Sequence, residues 1–184
     1  MYSRTGDANL AIQITAQEKY WFSVLERTSE VIRFLCKRGL AFRGSDETIG
    51  SPHNGNYLGI IELISKFDPF LEQHILCAHG NQGRGHASYL SSTIMEELIE
   101  LMGNEVFARI LHELKSAKFY SISVDSTPDI SHVDQLTCVV RYVLPSGPTE
   151  RFLTFLQPQR HTGEELGNTL VTFLQEHSIS IEDC

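Results

Sequence analysis

The amino-acid sequence predicts an α+β chain: a helical N-terminal region, then three antiparallel strands and a closing helix. Three observations carry this expectation. Tyr20, Trp21, Val24, Leu25, Val31, Ile32 and Leu35 recur at three- and four-residue spacing, with Glu18, Lys19, Glu26, Arg27, Glu30 and Arg33 between them, the stripe of an amphipathic helix. Tyr120, Ile122 and Val124 alternate with Ser121, Ser123 and Asp125, the two-residue period of a strand with one apolar face. Two β-rich runs, 134–144 and 149–157, flank Pro145-Ser146-Gly147-Pro148, a turn sequence that predicts a hairpin.

Taken in order, the first helix is expected to end near Arg38-Gly39. Residues 44–56, with Gly44, Gly50, Pro52, Asn54 and Gly55, read as a loop before a second helix carrying Leu58, Ile61, Leu63 and Ile64. Asp68-Pro69 starts a short third helix ending near Cys77. Aspartate accepts from the free N–H groups of a first turn, and proline there gives up no helical hydrogen bond. The stretch from His79 to Gly85 is glycine-rich and divides the chain into a helical region 1–78, a linker 79–90 and a remainder 91–184.

In that remainder, Ser91, Ser92 and Thr93 can cap a helix with Ile94, Leu98, Ile99 and Leu101 inside and Glu96, Glu97 and Glu100 outside, the acids near its start suiting the helix dipole. Gly103-Asn104 should break it, and Val106, Phe107, Ile110, Leu111 and Leu114 carry a further helix to the Asp125 strand. Thr162-Gly163-Glu164-Glu165 fits a capping box for a last helix with Leu166, Leu170, Val171 and Leu174, running to about His177.

Asp125 is the candidate site residue. The alternation places it at the end of its strand, with Thr127-Pro128-Asp129 expected to terminate the element. A carboxylate on a rigid strand suits a hard cation such as Mg²⁺, but two-metal chemistry requires further carboxylates converging from elsewhere. An acid that merely caps a turn would look the same in sequence.

Other constellations are weaker. Ser131, His132 and Asp134 crowd onto one loop, whereas a hydrolase triad draws on separate elements. Cys77, His79 and His86 lack the companions of a four-ligand zinc site, and Gly80–Gly85 lacks the Lys-Ser/Thr of a phosphate loop. The four cysteines, at 36, 77, 138 and 184, form no tight pairing pattern and are expected to be free thiols, Cys36 and Cys138 in the core. Arg33, Lys37, Arg38 and Arg43 form one modest basic cluster, which a solvated helix end also explains.

Composition sets bounds. The chain has 184 residues, is 41% hydrophobic and carries a formal net charge of −8. Residues 118–184 hold 4 Lys/Arg against 9 Asp/Glu, the reverse of the basic face that phosphate contacts require. No apolar run approaches the roughly 20 residues of a bilayer span, so no membrane partner is expected and an intracellular location is.

Ser121–Asp129, His132–Thr137 and Val139–Val143, preceded by Leu40–Glu47 and Gly55–Leu63, resemble in order the helical lead-in and start of the catalytic domain of hAT-type transposases. Within that group the resemblance is to transposon-derived MYM-type zinc-finger-protein-1-like proteins, and it runs from about Glu18 to the last residue. It implies an RNase H-like fold, a Mg²⁺-dependent Asp-Asp-Glu site in which Asp125 matches the first acid, and a nuclear location. The second and third acids of the family lie beyond Cys184; Asp129 and Asp134 do not replace them.

The resemblance therefore implies a truncated RNase H-like unit of a transposase fragment or domesticated remnant. Asp125 is its sole catalytic and metal residue, it binds no tightly held Mg²⁺, and DNA engages only in the full-length context. It also implies that the Asp125 strand has an open edge, with Leu, Val and Phe exposed where later elements would cover the sheet. The alternative is a non-enzymatic interaction or oligomerisation module, with a second copy or another protein as partner.

Overall fold

The apolar stripe of the first helix extends well beyond the segment that makes it legible. In the computed structural model, which describes residues 3–79, 88–128, 134–157 and 162–184, α1 covers Ser3–Arg38 and ends where the sequence predicts. Its C-terminal half buries Val24, Thr28, Val31, Ile32 and Leu35, one continuous 3.6-residue face. Residues 8–19 of the same helix are exposed throughout. The chain divides into two units, Met1–Leu101 and Met102–Cys184.

In the first unit, α1 is followed by α2 (Gly55–Ser65) and α3 (Pro69–His79). α2 buries Tyr57, Leu58 and Ile61, while Leu63, expected on its packed face, is 54% exposed. The loop before α2 is built on backbone contacts: Ser45 N–H donates to the His53 carbonyl (2.9 Å) and Tyr57 N–H to that of Phe42 (3.1 Å). Asn54 is buried and donates to the Thr48 carbonyl and to Glu62 Oε1. His74 is also buried, its ring nitrogens bonded to Tyr20 Oη (2.6 Å) and the Ser88 carbonyl (2.7 Å). Leu90 is buried and the Tyr89 ring lies against Trp21, so residues 88–90 pack into this unit. The glycine-rich stretch 80–87 lies outside the described residues. Cys36, expected in the core, is exposed, because it falls off the α1 stripe that Ile32 and Leu35 occupy.

Asp68 caps α3. Its Oδ1 accepts from the N–H groups of Phe70 (3.0 Å) and Leu71 (3.2 Å), and its Oδ2 from Arg27 Nε (2.5 Å). The Arg27 hydrogen bond, with the two backbone donors, holds this carboxyl below the ordinary aspartate value. Folding thus favours the charged form. The stabilisation is complete above the unfolded-chain value of about 3.9 and is lost as pH falls through the lower folded value. Asp68→Ala should cost about 1–2 kcal/mol at neutral pH, read by urea unfolding followed through Trp21, the single tryptophan. Asp68→Asn keeps a capping oxygen but not the charge, and should cost less at neutral pH and flatten the loss below about pH 4. Asp46, held low by Ser51 Oγ, shares that window and remains as background in both variants.

α4 spans Ser92–Ala117 without interruption, and Ser91 Oγ accepts from Ile94 N–H at its start. The expected break at Gly103-Asn104 is absent: a glycine in a helix interior costs about 1 kcal/mol, less than the continuing hydrogen-bond ladder returns. Met95, not Leu101, is the buried residue of its first half; Leu101 is 67% exposed, and Val106 is 60% exposed.

In the second unit, β1 (Tyr120–Pro128), β2 (Asp134–Leu144) and β3 (Gly147–Leu156) form an antiparallel sheet in the order β1-β2-β3. β2 and β3 form the predicted hairpin, but it turns on Pro145-Ser146 alone: Gly147 and Pro148, expected in the turn, already belong to β3 opposite Leu144 and Val143. A bulge at Cys138/Val139 sets both Leu153 and Thr154 on one side and inserts Leu153 into the core. One sheet face, with Tyr120, Cys138, Val140 and Tyr142, packs against Ile110 and Leu114 of α4 and Phe173 and Leu174 of α5 (Gly163–Glu176). Thr162 Oγ1 accepts from Glu165 N–H at the α5 start (3.3 Å), the expected cap. A 3₁₀ turn, Ile181–Asp183, follows, and Tyr120 Oη donates to the Ser180 carbonyl (2.9 Å). Cys138 is buried, as expected, and burial pushes its thiol pKa up.

Candidate functional site

Asp125 lies inside β1, three residues before its end at Pro128, rather than at the strand terminus. Pairing with β2 continues past it through Ser126↔Leu136, Thr127↔Gln135 and Pro128↔Asp134. These rungs extend a strand that Thr-Pro-Asp is expected to stop: proline lacks only the N–H, and a terminal position on an edge strand tolerates that loss.

Cross-strand partners share a sheet face, so the register assigns the neighbours of Asp125. It pairs with Thr137, and Thr137 pairs with Phe155; the next rung is Ser123, Val139 and Phe152, and the one beyond is Ser121, Arg141 and Glu150. This is the face opposite the helices. Asp125 is exposed on it, as are Phe152 and Phe155, whose rings pair at 4.7 Å. Arg141 is bridged to Glu150 at 3.4 Å. Among the described residues no group of three or more His, Cys, Asp or Glu converges on one point.

The other sequence candidates are dispersed or out of view. Ser131, His132, Asp129 and His86 lie outside the described residues, as do the side chains of His79 and Asp134. Cys77 is exposed and its sulfur accepts from Gln73 Nε2 (3.3 Å). In the basic cluster, Arg33 pairs with Glu30, Arg38 lies over the Phe34 ring at 4.4 Å, and Arg43 reaches Glu96 at 2.9 Å.

Between α1 and α2 lies a groove of about 450 Å³ floored by Phe34, Ile60, Leu63 and Ile64, with Arg33 and Lys37 on its wall. Sequence reasoning missed it. The available signal was α2 itself, apolar at Ile60, Leu63 and Ile64 as well as at Tyr57, Leu58 and Ile61, because a helix apolar on two faces has two surfaces to cover.

Residues 6–184 match the family described as the ZMYM1/FAM200 RNase-like domain. The chain belongs to this family. The match begins ahead of Glu18, where the sequence resemblance starts, and takes in nearly all of α1. Membership of the ZMYM1/FAM200 family supports descent from a transposase. No solved structure matches the chain. For Mg²⁺, Asp125 would supply one hard oxygen ligand on a rigid strand, but the described residues gather no group of three or more His, Cys, Asp or Glu, so they do not by themselves fit a two-metal centre. No helix among the described residues is long and apolar enough to cross a membrane.

Proposed function

We propose that the chain is a hAT-type transposase fragment or domesticated remnant, with the opening of an RNase H-like sheet, that keeps the first metal-binding acid, Asp125, and performs no strand transfer itself. The observation that carries this reading is the placement of Asp125. It is an exposed carboxylate on the uncovered face of the strand that resembles the family motif, and no group of three or more His, Cys, Asp or Glu forms among the described residues. The membership over residues 6–184 supports the ancestry. In this reading DNA is engaged only when further parts of the protein supply basic surface, since the chain carries −8. A nuclear site of action follows from the same ancestry.

Supercoiled plasmid and labelled duplex, incubated with the chain in Mg²⁺ or Mn²⁺, should show neither nicking nor joining above buffer. Mn²⁺ should broaden amide resonances around Asp125 and Thr137 only weakly, and Asp125→Asn should remove that broadening. Metal-dependent cleavage that disappears in Asp125→Ala would overturn the proposal, because the remaining ligands would then have to lie within this chain.

A further inference from the structure

We infer that the groove between α1 and α2 is a docking site for an acidic amphipathic helix of a partner protein. The argument starts from α2. One of its faces, Tyr57, Leu58 and Ile61, is buried in the unit, while Ile60, Leu63 and Ile64 line the groove. Its one charged residue, Glu62, is occupied by the Gly50 N–H (2.6 Å) and Asn54 Nδ2 (2.7 Å). α2 therefore has no charged, solvated face, and its second apolar face calls for a cover.

The α1 wall adds Phe34, 43% exposed, whose ring also carries the Arg38 guanidinium. A trough between two packed helices presents ridges that a third helix fits, with apolar side chains at i, i+3, i+4 and i+7 reaching the floor. Its volume lies within the roughly 300–1,000 Å³ of ordinary binding clefts.

Charge selects the occupant. Arg33, Lys37 and Arg38 lie on or beside the wall against the single acid Glu30, which pairs with Arg33. This is a cationic rim on a chain whose net charge is −8. An apolar floor with such a rim favours a helix flanked by Glu or Asp over one flanked by Lys, and a rim of this kind acts on association rate and selectivity in a salt-dependent way. The inference does not depend on transposase ancestry.

The test is fluorescence anisotropy of the full 184-residue chain with two labelled helical peptides. Both share a leucine face; one has glutamate flanks and the other lysine flanks. The acidic peptide should bind saturably and at least about tenfold more tightly than the basic one, with the gap closing at high salt. Leu63→Glu should abolish binding and Lys37→Glu should reverse the preference, while Trp21-monitored unfolding shows both variants folded. No saturable binding, equal binding of the two peptides, or binding indifferent to Leu63→Glu would overturn the proposal. So would concentration-dependent dimerisation removed by Leu63→Glu in sedimentation, which would assign the groove to a second copy.

Discussion

Alanine in place of Gly44 or Gly55 should strongly destabilise the first unit. A Cβ on Gly44 would lie 2.0 Å from the His53 carbonyl oxygen and 2.4 Å from the Gly55 nitrogen; one on Gly55 would lie 2.3 Å from the Gly44 nitrogen and 2.4 Å from the Arg43 carbonyl carbon. Every contacting atom is backbone. The two chain segments are pinned at this crossing by the Ser45–His53 and Tyr57–Phe42 hydrogen bonds, so neither can withdraw without breaking the loop that seats α2. Gly55 also has φ +83, a region costly to any L side chain. Each substitution should cost at least about 3 kcal/mol, a large share of the roughly 5–15 kcal/mol that holds a domain together. The urea midpoint read through Trp21 measures it. Gly39→Ala, at φ +61 with nothing within 4 Å, isolates the backbone term and should cost only about 1–2 kcal/mol. Gly103→Ala, in an open helical position, should stabilise α4 by up to about 1 kcal/mol. A Gly44→Ala chain with an unchanged midpoint would show that the crossing is looser than these distances.

Where local pattern and tertiary packing agree, the sequence was legible. The Tyr120-Ile122-Val124 alternation, the hairpin turn at Pro145-Ser146, the Asp68 and Thr162 caps and the α5 stripe each became the element they predict, because period and capping chemistry act over a few residues. The failures are tertiary. Gly103-Asn104 looked like a stop, yet a local propensity near 1 kcal/mol yields to a helix anchored at both its Met95 and its Leu114 ends. Cys36 looked like core from its apolar neighbours, but a helix sorts residues by angle, not by adjacency. The Gly44–Gly55 crossing was invisible because proximity across eleven positions leaves no periodic trace. At the candidate site, the chain placed Asp125 on a polar strand face, but which carboxylates join it depends on long-range convergence that alternation does not encode.

The isolated chain should self-associate through the second unit. β1 is the first strand in the order β1-β2-β3 and pairs on one side only, so the backbone groups on its other side have no ladder among the described residues. Edges are ordinarily protected by lysine, a mid-strand proline or an inward charge. Tyr120–Pro128 contains no lysine, its proline stands at the end, and Asp125 is its one charge. The uncovered face of the sheet exposes Val143 (65%), Phe152 (48%) and Phe155 (55%), and exposed apolar surface on a sheet with an open edge invites association. Sedimentation velocity should give oligomers that grow with concentration. Phe155→Lys and Ser123→Lys, both on the uncovered face, should shift them toward monomer without lowering the unfolding midpoint, since neither residue is buried. Hydrogen exchange gives the independent reading: alternate β1 amides, those pointing away from β2, should exchange far faster than the β2 amides bonded on both sides. A monodisperse monomer whose β1 amides are all as protected as those of α4 would contradict this. It would mean that the edge is closed within the chain, and that the uncovered face around Asp125 is a finished surface rather than one awaiting a partner.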